Sequence, residues 1–177
     1  MKIVTNLRIV LGVFIVLTVL TNGCIERPIE QYKYTIPDEI KNLSNEPLPT
    51  YNDLQSAADD YKWKLDLVTE QTARLDMYYA LKSGISMTQR EYKAWLDDLS
   101  AQTTEFIERN LEAIKSGNAY IKYLNAEVQA QKIGYDWYSR EYDRVAKNNE
   151  IMKSDIEKAH NNLKAQINRY NLEFVYK

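Results

Sequence analysis

All four prolines of this 177-residue chain lie between Pro28 and Pro49, and none occurs from Thr50 onward. Proline removes a backbone donor and clashes with the preceding helical turn. A long proline-free stretch is therefore what uninterrupted helix requires and what loop-rich or sheet-rich domains seldom show. Only five glycines occur, at 12, 23, 84, 117 and 134, and two of them, Gly84 and Gly117, stand where a helix is expected to stop. The expectation for residues 50–177 is an all-α domain of one modest core.

Hydrophobic periodicity gives that domain three helices, at about 51–83, 87–116 and 119–172. The first follows a start signal at Thr50 and Asp53 and carries Leu54, Ala58, Tyr61, Leu65, Val68, Leu75 and Tyr79 on one face. Ser83-Gly84 ends it. Ser86 and Gln89 form a capping-box pattern for the second, which carries Tyr92, Trp95, Leu96, Leu99, Phe106, Ile107, Leu111 and Ile114 up to Ser116-Gly117-Asn118. The third has the strongest pattern: fifteen positions from Ile121 to Tyr170, spaced alternately by three and four, of which only Gln131, Asn149 and Gln166 are polar. As one helix it would be ~80 Å long.

A heptad seam of this kind faces either a second copy or the chain's own helices. Of the flanking charge pairs that would join two parallel copies, only Glu127 with Lys132 is clearly complementary. The favoured fold is thus an antiparallel three-helix bundle, coiled-coil-like, with a long C-terminal helix. The alternative is a four-helix bundle with a break near 148–150, and a second copy of the chain stays open as a partner.

Residues 1–23 have the layout of an export signal: Lys2 and Arg8, an apolar run from Ile9 to Leu20, then Thr21, Asn22 and Gly23 before Cys24. The run is too short for the ~20 residues that span a bilayer. Gly23-Cys24 resembles the end of prokaryotic lipoprotein signal peptides. The resemblance covers these two dozen residues only. It implies cleavage after Gly23, lipid on Cys24, and a membrane-attached extracytoplasmic protein; the alternative is an uncleaved anchor with a free thiol. Two or more acyl chains hold a protein stably where one does not. Cys24 is the sole cysteine, which excludes an internal disulfide framework and a cysteine metal cage.

Residues 24–49, with their prolines and scattered charge, read as the anchor cysteine followed by an extended tether, up to roughly 75 Å long. Tyr32, Tyr34 and Ile36 alternate as in a short strand, which also suits β-strand addition to a partner.

Catalytic and nucleic-acid functions find no support. Lys2 and Arg8 leave with the signal, so 21 basic side chains face 25 acidic ones in the mature chain, with no basic block to follow a phosphate backbone. There is no G-x-S-x-G and no glycine-rich phosphate loop. Glu157-x-x-His160 matches half of a di-iron bundle motif, but His160 is the only histidine, so the second pair cannot exist. The expectation is a non-enzymatic chain with no cofactor and no metal.

Two kinds of binding surface are expected instead. Off the seam, Tyr123, Ala130, Trp137, Ile151, Ala165 and Leu172 recur seven or fourteen residues apart, a line ~130° from the seam's centre. Such a line serves either a second neighbouring helix or an exposed partner surface centred on Trp137 and Ile151, with Tyr123 at its edge. The fourteen tyrosines, among them Tyr78, Tyr79, Tyr135, Tyr138 and Tyr142, suggest the alternative of a sensor-like bundle with a tyrosine-lined ligand pocket.

Overall fold

The computed structural model describes residues 30–82 and 85–176. The export signal with Gly23 and Cys24, and the Ser83-Gly84 helix stop, lie outside the described residues. Within them the chain is all-α, with α1 at Asp38–Leu43, α2 at Leu54–Lys82, α3 at Gln89–Gln129 and α4 at Tyr135–Tyr170, which widens into a π-helical turn, Asn171–Val175.

Helices α2, α3 and α4 form an antiparallel three-helix bundle in which α3 packs against both neighbours. Near the far end of α3, Tyr120 meets Tyr61 of α2, and Asn118 accepts from Asn149 of α4 at 3.0 Å. At the opposite end Trp95 Nε1 donates to Tyr78 O at 3.1 Å and the Tyr92 ring meets Tyr170.

Both N-termini follow local chemistry. Asp53 caps α2, its carboxylate accepting from Ser56 N at 2.7 Å, an interaction that holds the carboxyl below its usual range. The capping box of α3 falls two residues later than the Ser86–Gln89 pattern. Thr88 is the cap, and the Glu91 carboxylate accepts from Thr88 N at 2.8 Å. A carboxylate gains from the helix dipole where a Gln amide does not, which favours the later register.

The largest departure from expectation concerns Gly117. It ends no helix; α3 runs through it for twelve more residues. A Cβ at this position would lie 2.7 Å from Asn149 Oδ1 and 2.9 Å from Tyr61 Cε2, so Gly117 lets side chains of both neighbouring helices lie directly against the α3 backbone. The turn comes instead at residues 130–134, where Gln131 takes φ 56° and Gly134 caps α4. One helix over 119–172 is therefore corrected to the end of α3 plus α4. The alternative break near 148–150 is absent too, since α4 is continuous there. The heptad register misled because it survives the turn: with Gln131 at the bend, the seam folds back on itself, and Leu124 and Val145 both lie in the same core.

Two apolar clusters fill the bundle. One joins Leu75, Tyr92, Leu96, Leu99, Phe106, Leu163 and Tyr170; the other joins Ala57, Tyr61, Ala113, Tyr120, Leu124, Val145 and Met152. Between Leu96 and Leu124 the same heptad line of α3 carries Thr103, Asn110 and Gly117, a polar and small waist; Asn110 donates to Phe106 O at 2.8 Å.

The described part of the expected tether is not a solvated spacer. Tyr32 and Tyr34 pack against the first cluster, their hydroxyls hydrogen-bonding Ser100 at 3.1 Å and Thr104 at 2.8 Å. Asn171 grips the backbone of Tyr32, accepting from its N–H at 2.9 Å and donating to its carbonyl at 3.1 Å. Further on, Ile40 of α1 is buried and Glu46 pairs with Lys115 at 2.8 Å. Against the expectation of an extended segment throughout, the strap holds the short helix α1, which starts directly after Pro37, while its aromatic side chains bury apolar area against α3 and α4.

Candidate interaction surface

Trp137 and Ile151 lie on one line of α4 with Arg144 midway between them, and are 40% and 49% exposed. Fourteen residues of helix separate them by ~21 Å. Arg144 leans from this line towards α2: its guanidinium sits 6.0 Å from the Tyr61 ring while pairing with Glu141 at 2.7 Å. The line thus borders an open cleft of about 470 Å³ walled by Ala58, Tyr61, Lys62 and Leu65 of α2 and by Arg144. Tyr61 closes the floor of the cleft: its hydroxyl is buried and makes no well-formed hydrogen bond among the described residues, and burial pushes its pKa up while the neighbouring Asn148 side chain works against the rise.

Tyr123 does not share this surface. The turn at 130–134 takes it off the line of α4, and its hydroxyl accepts from Tyr51 N at 2.9 Å and donates to Tyr51 O, fixing the approach to α2. Of the tyrosines singled out by sequence, Tyr135, Tyr138 and Tyr142 form a row along α4 with centroids 5.9 Å apart, and Tyr138 donates to Asn125 at 2.7 Å. Tyr78 and Tyr79 pack into the first cluster. They do not gather around one pocket.

A second cleft, of about 340 Å³, lies beneath the strap. Asp60 accepts there from Tyr51 and from Ser116, both at 2.6 Å, and burial followed by this bond pushes Tyr51 up to about 12. Lys64 pairs with Glu112 at 2.9 Å. Its polar groups satisfy one another, which suits a strut between strap and bundle.

Glu157 and His160 find no third ligand: among the described residues no three His, Cys, Asp or Glu side chains gather in a way that could hold a metal ion. His160 faces the Tyr34 ring at 6.2 Å, and burial followed by the charge of Lys164 lowers its pKa. Among the described residues no helix is long and apolar enough to cross a membrane. The Asn171 clamp and the α2–α4 cleft were missed from sequence; the alternation of Tyr32, Tyr34 and Ile36 was the one signal that pointed to the clamp. No protein-family model, curated protein or solved structure matches the chain, so the reading of this surface stands on its own geometry.

Proposed function

We propose that this chain is an extracytoplasmic lipoprotein, cleaved after Gly23 and held to a membrane by lipid on Cys24, whose helical body is a non-catalytic docking element for another protein. The observation that carries the docking role is the half-exposed Trp137–Ile151 line beside an open cleft. Two large apolar side chains flanking a charged one, on a rigid helix, are the residue types that anchor protein interfaces. The test is a photoreactive residue in place of Trp137, activated in the native cells. Capture of one dominant foreign protein, lost on Ile151→Ala, is the expected result. Capture of the chain itself, or of nothing, would remove the docking role.

A second reading is supported by the open α2–α4 cleft, where Asp59, Lys62 and Arg144 stand beside apolar walls: a sensor-like bundle taking a small polar ligand there. Thermal shifts with sugars and short peptides test it, and uniformly flat shifts would sink it.

A further inference from the structure

Exposed apolar side chains come to one end of the bundle from three separate segments. The last turns of α2 bring Met77 and Leu81, the connection into α3 brings Ile85, and the chain beyond α4 brings Leu172 and Tyr176; all are more than half exposed. Single exposed apolar residues are ordinary on protein surfaces. These segments, however, converge, because Tyr78, Tyr79, Met87, Phe174 and Val175 all pack on the cluster around Tyr92 and Tyr170.

The strap begins at this same end. Tyr32 is fastened to Asn171 and its ring packs edge-on against Tyr170. Six residues, 25–30, separate Cys24 from Gln31. The seven Cα-to-Cα steps from Cys24 to Gln31, at no more than ~3.6 Å each, reach about 25 Å at most. By contrast α3, at 41 residues, is ~60 Å long. A lipid on Cys24 therefore keeps the Tyr32 end of the bundle within about 25 Å of the bilayer and lets the Gln131 turn lie up to a helix length farther off.

We infer that this end is a membrane contact, with Leu81, Ile85, Leu172 and Tyr176 entering the headgroup region of the bilayer. The inference rests on the lipid anchor proposed above. Its occupant is a lipid surface because the anchored leader joins the bundle at this end and keeps it within about 25 Å of the bilayer. Four side chains are too few to hold a protein on a membrane alone. The anchor supplies attachment and the contact supplies orientation, with aliphatic tips and a tyrosine suited to the interface.

Because lipid consumes the one native thiol, a cysteine introduced elsewhere takes a single fluorophore. Ile85→Cys, Leu172→Cys and, at the far end, Lys132→Cys are made in the full chain. Each is purified from membranes, labelled and reconstituted into phosphatidylethanolamine–phosphatidylglycerol vesicles with and without a headgroup-region lipid quencher. The N-terminal peptide is weighed in parallel. With acyl mass on Cys24, labels at 85 and 172 should be quenched at least about threefold more than the label at 132, given the ~60 Å between the ends. Acyl mass with equal, weak quenching at all three positions overturns the contact and leaves the anchor standing. Labels shielded from water but untouched by the lipid quencher assign this end to protein contact and overturn it too. Absence of acyl mass removes the anchor and the inference together.

Discussion

An added methyl group at Gly117 would have to displace the buried ring of Tyr61 or the side chain of Asn149, whose Nδ2 is held by Asn118. Gly117→Ala gains up to ~1 kcal/mol of helix propensity, against an overpacking cost of about 1–3 kcal/mol. The expected outcome is a net loss of about 1 kcal/mol in urea denaturation. A second substitution, Asn149→Ala, made together with it should recover much of that loss by emptying the contact. Gln131 is the opposite case. Its φ of 56° belongs to the left-handed region that disfavours side chains, so Gln131→Gly should stabilise the fold by about 1 kcal/mol. Nothing in residue type distinguished these two positions beforehand. A glycine suggested a stop and stood at a close approach, while a glutamine on the seam suggested burial and stood at the bend.

At the level of elements, the sequence made helix type and face legible and left helix ends obscure. The faces of α2 and of the start of α3 follow from spacing, because a helix one-third buried repeats its apolar residues every three or four positions. Chain reversal is not written in that repeat: an antiparallel hairpin keeps the heptad phase whenever its turn absorbs whole seam positions, as residues 130–134 do. The strap was obscure for a different reason. Proline content says that a segment carries no long helix but not whether it is solvated, and the deciding partner, Asn171, is 139 residues away. Asn171→Ala should leave α2–α4 intact and loosen the strap. Removing a side chain that serves two backbone groups costs about 1–3 kcal/mol. The check is amide hydrogen exchange, with faster exchange expected at Tyr32 and no change at Leu99 or Leu163.

For the whole molecule, stability should respond to alkali in two opposed steps. Lys82 lies 3.0 Å from the Tyr92 ring centroid, and burial followed by the charge of Arg169 pushes its pKa down from 10.5 to about 8. Between those values the unfolded chain holds a proton that the folded chain lacks, so stability rises with pH. The amine is only partly buried, so the rise is shallow. Burial raises Tyr51, Tyr79 and Tyr120 from 10.0 to about 12. Between pH 10 and 12 the folded chain keeps protons that the unfolded chain releases, and stability falls. Denaturant midpoints should therefore climb from pH 8 towards 10 and drop beyond it, with Lys82→Met removing the climb and sparing the drop.

The clasp between Tyr32 and Asn171 also sets an order of events in time. A polypeptide leaves the ribosome, or a translocation pore, with residue 32 far ahead of residue 171, so the strap emerges before the side chain that fastens it exists on the same side. Closing a loop of this length is entropically slow relative to pairing neighbouring helices. The α2–α3 hairpin can thus assemble first, α4 next, and the fastening last. Until then the Tyr32 and Tyr34 rings stay uncovered, a window in which a holding chaperone has something to grasp and after which it has not.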